Sequence, residues 1–463
     1  MSTHGKIINI KDQIAEVEFF ENNSPKLHDI LYLEDYKETL LEVSGSSAPL
    51  QFSCMILTGA DNLFRGAGVI NTGSGLTVPI GTETLGRVID IFGTAIDGNI
   101  EIKAKQHHPI FRDPPALTSV TSKKGTLELG IKVIDFFAPM PQGGKLGILG
   151  GAGVGKTILL TEILHNVVIL NKNKSVSVYT GVGERTREGQ ELVEALEEGK
   201  VLDSASLIYG AMGESPAIRY LTAYAGITMA EGFRDIEKKD VLFFVDNVFR
   251  LAQAGNELSM LANTIPSEDG YQPKLDSEMG TFHERLVSTK EANINTIEAI
   301  YVPNDDIADQ GVQAIFPYLD SIIVLSRNVY QQGFLPAVDI MSSGYSKALT
   351  PAIVGEKHYS AAIEAQQLLK KASSLDRIVS LIGESELSVE DQITYRRAQK
   401  LRAYMTQSFF TAEKQTGRKG VFVPAKDTID DAIGIMHGAF DELTVDKFMF
   451  IGSLNEVKKP NGS

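Results

Sequence analysis

Apolar and polar residues alternate in the first part of the chain. Ala15, Val17 and Phe19 fall on one side of an extended segment and Glu16 and Glu18 on the other, which predicts a half-buried strand. More short apolar runs follow, separated by Asn, Gly, Ser and Asp residues that favour turns. These runs span residues 31–33, 40–43, 52–57 and 68–71. The pattern predicts a small antiparallel β-barrel or sandwich over residues 1–75.

A different pattern occupies the middle of the chain, where apolar strands alternate with helical segments. The predicted strands span residues 145–149, 176–180, 241–245, 296–302 and 322–325. This alternation is typical of a mostly parallel sheet that helices cover on both faces. We therefore predict an α/β domain over residues 76–354.

The last part of the chain has a helical period. The apolar residues spaced for one helix face are Ala361, Ala365, Leu368 and Ala372. Ser388 with Asp391 resembles a capping box that opens a helix running to Arg402, and Thr428 with Asp431 is a candidate start for another helix. We predict an α-helical domain over residues 355–463.

Composition and charge narrow the function classes. The 463 residues carry a formal net charge of −15, which argues against non-specific binding to nucleic acid or anionic membranes, since both need clustered Lys and Arg. No apolar run approaches the roughly 18 residues of a membrane span, and the N-terminal residues lack the apolar core of a secretory signal. We expect a cytoplasmic protein. The single cysteine, Cys54, lies in an apolar run and is expected to be a buried strand thiol.

The strongest chemical signal is the segment GGAGVGKT at residues 150–157. It fits the phosphate-binding motif GxxxxGK followed by Ser or Thr, with a predicted strand before it and a helical run after it. Its glycines let backbone N–H groups wrap phosphate oxygens, Lys156 would neutralise the β and γ phosphates, and the Thr157 hydroxyl would be a Mg²⁺ ligand. A chance Gly-rich turn is the alternative, which the matching flanks disfavour. The predicted nucleotide-binding positions are Gly151, Gly153, Val154, Gly155, Lys156, Thr157 and Ile158.

Two further segments suggest a hydrolytic site. The predicted strand at 241–245 is followed by Asp246, which in the presence of a phosphate loop is the acid that holds magnesium through its water shell. The segment GVGERTREG at 181–189 follows another strand, and strand ends in open parallel sheets line the ligand crevice. There Glu184 is placed to polarise a water and Arg185 to stabilise charge on the γ phosphate. From spacing alone, a solvated charged loop with local ion pairs is an equal alternative.

Five segments are similar to one known family: GGAGVGKT, GVGERTREG, LFFVDNVFR, AGNELSMLANTIPSEDGYQP and MGTFHERL. In sequence and order they resemble the catalytic beta subunits of F-type rotary ATP synthases, and the resemblance runs from near Gly5 to about Phe450. It implies a RecA-like P-loop NTPase domain between a β-barrel and a helical domain. The alpha subunits of that family differ in the phosphate loop and lack a glutamate corresponding to Glu184, so the resemblance is to the catalytic subunit.

The resemblance also implies roles for individual residues, with Mg²⁺ as the cofactor and ATP or ADP as substrate and product. Glu184 would position the attacking water, and Arg250 would lie near the γ phosphate. The residues implied in catalysis are Lys156, Glu184, Arg185 and Arg250. The residues implied in holding the metal or its waters are Thr157, Glu188 and Asp246.

The partners that the resemblance implies are other subunits of a ring. An alpha-like subunit would alternate with this chain in a hexamer and supply an arginine finger to each site. A central gamma-like shaft would run through the ring, and membrane association would occur only through other subunits. No nucleic acid partner is expected.

The wall of the adenine pocket departs from the family. Phe409 and Ala412 match family positions, but Leu335 stands where the family has a stacking tyrosine and Gln415 where it has a phenylalanine. Loss of stacking, worth about 1–3 kcal/mol per base, predicts weaker or less base-selective binding. The neighbouring Phe334 could replace the lost stacking ring, but on a strand it would point to the side opposite Leu335, because adjacent strand residues point to opposite faces.

The segments that face the shaft and partners depart as well. Ser385 and Val389 replace two acids of the family's DELSEED loop, which pushes on the shaft. Residues 303–310 lose the threonine and proline of a shaft-contacting loop. Residues 340–347 are one position longer than in the family and place Lys347 near its arginine.

These departures leave alternatives open. One is a specialised F-like ATPase, resembling the divergent beta paralogues of wall-less bacteria, that powers surface or gliding machinery without proton translocation. Another is a non-catalytic nucleotide-binding ring subunit, which the presence of Lys156, Glu184 and Asp246 disfavours. A RecA-like RNA-translocating helicase is disfavoured by the acidic charge and the lack of a basic aromatic groove.

Overall fold

The computed structural model describes residues 3–20, 24–121, 125–170 and 175–458. Its first six strands are β1 (Thr3–Lys11), β2 (Ile14–Phe19), β3 (Asp29–Leu33), β4 (Leu40–Ala48), β5 (Gln51–Ile56) and β6 (Gly68–Gly75). They form a closed barrel, with β1 paired antiparallel to both β2 and β6. The barrel interior contains the alternating apolar residues of β2, and Cys54 is buried in β5. The first strand was not predicted. Ile7 is its one fully buried apolar side chain among those described, so β1 lacks the repeated apolar alternation that indicates a strand.

An eight-stranded sheet forms the centre of the molecule. The strands after the barrel are β7 (Thr77–Ile80), β8 (Val88–Ile89), β9 (Gln106–Pro109), β10 (Thr126–Leu127), β11 (Met140–Pro141), β12 (Lys145–Gly150), β13 (Ser175–Glu184), β14 (Ala205–Ala211), β15 (Asp240–Asp246), β16 (Ile294–Tyr301), β17 (Ser321–Val324) and β18 (Tyr345–Ser346). The sheet order is β18-β17-β12-β16-β15-β13-β14-β8, and only the pairing of β18 with β17 is antiparallel. The remaining strands pair as β7 with β9 and β10 with β11.

Helices cover both faces of this sheet. The helices of the central region are α1 (Lys132–Phe137), α2 (Lys156–Leu170), α3 (Thr186–Glu198), α4 (Pro216–Asp235), α5 (Val248–Leu261), α6 (Leu275–His283), α7 (Gln310–Gln313), α8 (Arg327–Gln331) and α9 (Pro351–Val354). One buried cluster contains side chains of α1, α2 and α3, and a second contains those of α4, α5 and α6. The predicted fold class, a β-barrel, a mostly parallel α/β domain and a helical region, is confirmed.

The C-terminal region is helical. Its helices are α10 (Glu356–Ile382), α11 (Val389–Tyr404), α12 (Glu413–Thr416), α13 (Ala425–Met436) and α14 (Asn455–Lys458). The Ser388 cap is confirmed, because its hydroxyl oxygen accepts a hydrogen bond from the Asp391 N–H at 3.2 Å. The predicted helix start at Thr428 is wrong: Thr428 is buried inside α13, which begins just after Pro424. A proline suits a helix start, where its missing N–H costs nothing. Within the described ranges no helix is both long and apolar enough to span a membrane.

The helix after the phosphate loop contacts the C-terminal region directly. Glu162 on α2 is fully buried, and its carboxylate accepts hydrogen bonds from the N–H and hydroxyl of Thr411, each at 3.1 Å. The His165 ring lies 4.8 Å from the Phe410 ring, centroid to centroid. The helix that follows the phosphate loop is therefore packed directly against the helical region.

A buried lysine makes a second connection between these regions. The Lys132 ammonium donates a hydrogen bond to the Ile451 carbonyl at 2.6 Å and lies 4.2 Å from the centroid of the Tyr404 ring. Burial lowers the pKa of Lys132 from its ordinary value of 10.5 to about 7, although Asp431 and Glu456 oppose the shift. Between these two values the unfolded chain binds a proton that the folded protein has lost.

We expect Lys132→Met to remove part of the pH dependence of stability. Because the unfolded chain binds more protons than the folded protein between about pH 7 and 10.5, this group makes wild-type stability rise with pH across that window. The difference in unfolding free energy between variant and wild type should therefore change by up to about 4 kcal/mol between pH 6 and pH 10, in favour of the variant at pH 6. Urea unfolding of both proteins at both pH values measures this difference. An equal difference in unfolding free energy at pH 6 and pH 10 would contradict the lowered pKa assigned to Lys132.

Candidate active site

The phosphate loop lies between β12 and α2. Its backbone takes the left-handed conformation at Gly153, with φ of 73°, and at Gly155, with φ of 92°. Glycine adopts these angles without a steric penalty. At both positions a Cβ would meet no heavy atom within 4 Å, so the loop leaves open space at the N-terminus of α2. Backbone N–H groups and a helix N-terminus bordering such a space suit an anion.

Two residues that sequence reasoning did not single out contact the outer side of this loop. A Cβ on Gly151 would lie 2.4 Å from a carboxylate oxygen of Asp305, so the close approach requires glycine. The Arg327 guanidinium donates a hydrogen bond to the Ala152 carbonyl at 3.1 Å. Asp305 follows β16 and Arg327 opens α8 after β17, so neighbouring strand ends support the loop.

Lys156 extends across the loop toward a group of acids. Its ammonium donates hydrogen bonds to the carbonyls of Gly150 at 2.8 Å and Gly151 at 2.6 Å, and it lies 5.7 Å from the centroid of the Tyr301 ring. Burial lowers the pKa of Lys156, whereas the charges of Asp246 and then Glu184 raise it. The structure therefore brings the predicted phosphate-binding lysine close to both predicted acids.

The two acids lie at the ends of adjacent parallel strands. Gly181 on β13 is in register with Asp246 on β15, and Glu184 is the last residue of β13. The Glu184 and Asp246 side chains are buried. Burial raises the pKa of both carboxyls, and the negative charge of Asp246 raises that of Glu184 further. Buried carboxylates whose negative charge is not fully balanced by neighbouring cations suit a site that receives a cation or a proton.

One expectation about this strand is wrong. We expected the strand to end near residue 180 and a loop to begin at Gly181, but β13 continues to Glu184 with an irregular register after Val182. The glycines of the segment suggested a loop because glycine weakens an isolated strand. In the sheet, pairing with β14 continues to Glu184 and offsets that weakness, whereas pairing with β15 ends at Gly181.

The predicted arginines differ in their surroundings. The Arg185 side chain is 71% exposed and forms an ion pair with Glu188 at 3.6 Å, so both can reach a ligand. Arg250 lies on α5, donates a hydrogen bond to Gln253 at 3.0 Å and has a buried Nε without a hydrogen-bond partner among the described residues. Its guanidinium lies 5.8 Å from the centroid of the Tyr301 ring. The Tyr301 ring therefore lies near the cationic groups of both Lys156 and Arg250.

Two tyrosines of this site were missed by sequence reasoning. The Tyr179 hydroxyl donates a hydrogen bond to the Asp246 carboxylate at 3.0 Å. The Tyr209 hydroxyl donates to the Arg185 carbonyl, and a Cβ on Gly181 would lie 2.4 Å from the Tyr209 ring. Both tyrosines occur in apolar strand segments, where the pattern predicts that an aromatic residue is part of the core. The sequence therefore contains no local signal for these contacts.

The donor set suits magnesium when a nucleotide supplies further oxygens. Its members are hard oxygen ligands: the hydroxyl of Thr157 and the carboxylates of Glu188 and Asp246. Across the described ranges, no group of three or more His, Cys, Asp and Glu residues is arranged to hold a metal ion by itself. Burial raises the pKa of the Glu184 and Asp246 carboxyls, and a cation bound beside them would favour their ionised forms.

A cavity of about 220 Å³ adjoins the phosphate loop. It brings together the predicted base-pocket residues, and Gln415 also lines it. Two aromatic residues that we did not predict line it as well, Tyr330 and Phe450, and the Arg418 guanidinium lies 3.9 Å from the centroid of the Phe450 ring. Phe334 instead lines a separate cavity. The predicted residues lining the base cavity are Val154, Gly155, Ile158, Leu335, Phe409 and Ala412.

We expect Phe450→Ala to weaken nucleotide binding, because Phe450 offers the stacking surface that Leu335 lacks. The loss should be about 1–3 kcal/mol, the usual contribution of one base–aromatic stack. Titration with a fluorescent ATP analogue measures it. Phe334→Ala is the matched control because this ring lines the neighbouring cavity, and equal losses for both variants would rule out stacking on Phe450.

A glycine-rich loop between a parallel strand and a helix, with buried acids at neighbouring strand ends, defines the class of P-loop NTPases. Comparison with known families agrees. Residues 130–345 match the model of the ATP synthase alpha/beta family, nucleotide-binding domain. Residues 347–432 match the C-terminal domain of V and A type ATP synthase. The central domain is therefore similar to the nucleotide-binding domain of the ATP synthase alpha/beta family, and the protein is an ATPase or ATP synthase subunit of the rotary class.

Proposed function

We propose that this chain is the magnesium-dependent catalytic subunit of a rotary ATPase and is of the F-type beta kind. The observation that carries the proposal is the position of Glu184 and Asp246 at the ends of adjacent parallel strands, close to Lys156. A subunit that only binds nucleotide has no use for a second buried acid at this place. The acid, the lysine and the phosphate loop together suit phosphoanhydride hydrolysis and its reversal.

The residues divide the work by their surroundings. Lys156 and the N-terminus of α2 bind and neutralise phosphate oxygens, and the exposed Arg185 stabilises the charge that spreads over the γ phosphate. Glu184, whose pKa burial raises, orients the attacking water and takes up its proton. Thr157, Glu188 and Asp246 would hold magnesium or its waters, and a bound ion would supply positive charge beside the phosphates. Arg250 lies beside Lys156 at the γ-phosphate side.

Two resemblances bear on the type of rotary ATPase. The F-type motifs carry the residues of the catalytic centre, from the phosphate loop to Arg250. The V and A type match covers residues 347–432, which contain α10 and α11 and no residue of the phosphate loop. Because the chemistry lies in the central domain, we assign the F-type beta kind on the catalytic motifs.

A second candidate function is a specialised F-like motor that hydrolyses ATP to drive surface or gliding machinery. It is favoured by the surfaces that would contact the shaft and partner subunits. Val389, the first residue of α11, is 74% exposed at a position where the F-type family has an acid. The Lys347 ammonium forms an ion pair with Asp320 at 2.8 Å, so it is held within this chain and not extended toward a partner.

We further propose the assembly that this function needs. An alpha-like subunit alternates with this chain in a hexamer and supplies an arginine finger, and a gamma-like shaft contacts the turn between α10 and α11. The complex lies in the cytoplasm at the inner face of the cell membrane and attaches to the membrane through other subunits. The acidic charge of the chain disfavours a nucleic acid partner.

The test is isolation of the native complex under mild conditions, with its subunits identified and its Mg²⁺-dependent ATPase activity measured. An alpha-like partner with a shaft and a proton channel would establish an ATP synthase. The same catalytic ring with other partners and no proton channel would establish the specialised motor. A complex without nucleotide hydrolysis in Mg²⁺ would overturn both functions, and activity that depends on single-stranded RNA would indicate a helicase.

A further inference from the structure

Tyr179 is a buried residue at the active site with no role in the function proposed above. It lies on β13 two positions before Gly181, which is in register with Asp246 on β15. Its hydroxyl donates a hydrogen bond to Asp246 Oδ2 at 3.0 Å. Tyr179 is 3% exposed and Asp246 is 5% exposed, so water does not compete strongly for this contact.

The hydroxyl is not explained by packing. The Tyr179 ring lies in the apolar cluster between the sheet and its helices, 6.5 Å from the Phe244 ring, centroid to centroid. A phenylalanine would fill the same space without a polar atom to bury, whereas a buried hydroxyl costs free energy unless it is hydrogen bonded. The partner of this hydroxyl is the acid that the proposed function assigns to magnesium.

The contact restrains the orientation of the Asp246 carboxylate. The terminal torsion of an aspartate is broad and roughly two-fold, so the carboxylate plane needs an external contact to fix it. Among the described residues, no side chain other than Tyr179 donates a hydrogen bond to this carboxylate. Outer contacts of this kind orient the groups that hold a metal or its waters.

We propose that Tyr179 is a positioning residue, which holds the Asp246 carboxylate in the orientation that accepts the waters of the nucleotide-bound metal. The inference rests on the proposed function, since it assigns magnesium to this acid. Tyr179 does not contact the reacting atoms. It acts through Asp246, so loss of its hydroxyl weakens binding of the metal more than binding of the nucleotide.

The test is Tyr179→Phe in the full-length chain, with Mn²⁺ as the metal probe. Electron paramagnetic resonance measures Mn²⁺ affinity in the presence of ADP, and a fluorescent ATP analogue in EDTA measures metal-free nucleotide affinity. We expect Mn²⁺ affinity to fall by about tenfold, as for other outer contacts of metal sites, and the metal-free affinity to stay at the wild-type value. In the Asp246→Asn background the same change should have no further effect on Mn²⁺ affinity.

The chain offers a matched control in Tyr404, whose hydroxyl donates a hydrogen bond to Asp431 Oδ2 at 2.9 Å in the helical region. Tyr404→Phe loses the same kind of contact and should keep wild-type Mn²⁺ affinity. Wild-type Mn²⁺ affinity in Tyr179→Phe, or an equal loss of metal-free nucleotide affinity, would overturn the positioning role. Failure of the proposed function is a separate result, because the wild type would then show no Mg²⁺-dependent hydrolysis.

Discussion

Replacing Glu184 by glutamine is expected to stop ATP turnover while nucleotide binding is retained. Glutamine keeps the size of the side chain and can hold a water, but it cannot take up the proton that the attacking water releases. Loss of a positioned general base costs about 10²–10⁴-fold in rate. Because Lys156 and the phosphate loop are unchanged, the affinity for a fluorescent ATP analogue should stay near the wild-type value.

The measurement is steady-state ATPase activity of the native complex that contains the variant, together with analogue binding. Glu191→Gln is the matched control, since Glu191 is an exposed glutamate on α3 that pairs with Arg187 at 3.1 Å. It should have wild-type activity. Turnover by Glu184→Gln within about tenfold of wild type, less than loss of a general base costs, would remove Glu184 from its assigned role.

Replacing Lys156 by glutamine is expected to weaken nucleotide binding and hydrolysis together. The Lys156 ammonium lies among the phosphate-loop carbonyls and close to Glu184 and Asp246. Removing one donor to developing charge costs about 10²–10³-fold in rate, and the ground state also loses a charge-assisted contact with phosphate. The loss should therefore occur in both kcat and the affinity for nucleotide.

Steady-state kinetics and analogue binding separate the two losses. Lys238→Gln is the control, because Lys238 is largely exposed and pairs with Glu291 at 2.7 Å on another part of the surface. It should behave as the wild type does. If Lys156→Gln lost only kcat and bound nucleotide normally, the lysine would act on the transition state alone and our ground-state assignment would be wrong.

Much of the fold was predictable because its signals are local. The central strands β12 and β15 are continuous apolar runs, typical of parallel strands buried on both faces, and the structure has both. The Ser388 cap was predictable because a capping box is formed within four residues. Thr428 with Asp431 has similar spacing but starts no helix, since Pro424 nearby begins α13 one turn earlier. Two local signals for a helix start, at Pro424 and at Thr428, compete here. Packing decides between them, and residue spacing gives no information on packing.

The extent of β13 was not predictable for a related reason. Glycine lowers the strand propensity of residues 181–183 when they are considered alone. In the molecule the strand has neighbours on both sides, β14 and β15. Pairing with β15 ends at Gly181, opposite Asp246, and pairing with β14 alone continues the strand to Glu184, so tertiary pairing decides where the strand ends.

The lining of the base cavity was also only partly predictable from the sequence. The sequence indicated a loss of stacking at Leu335 and Gln415, because those positions can be compared directly with the family. It contained no indication that Phe450 and Tyr330 line the cavity. Phe450 reaches this place because the last segment of the chain packs back on the residues that follow α11, where the Phe450 N–H donates a hydrogen bond to the Thr406 hydroxyl at 2.7 Å.

By itself, the sequence determined the features that depend on neighbours along the chain. These are the phosphate loop between a strand and a helix, the apolar strands of the sheet, the order of β-barrel, α/β domain and helical region, and the ATPase class. The tertiary structure decided which distant residues meet. The Tyr179 hydroxyl contacts Asp246 across 67 positions, and Glu162 on α2 accepts hydrogen bonds from Thr411 across 249. Such contacts arise when separate elements pack together, and that packing depends on the whole chain at once.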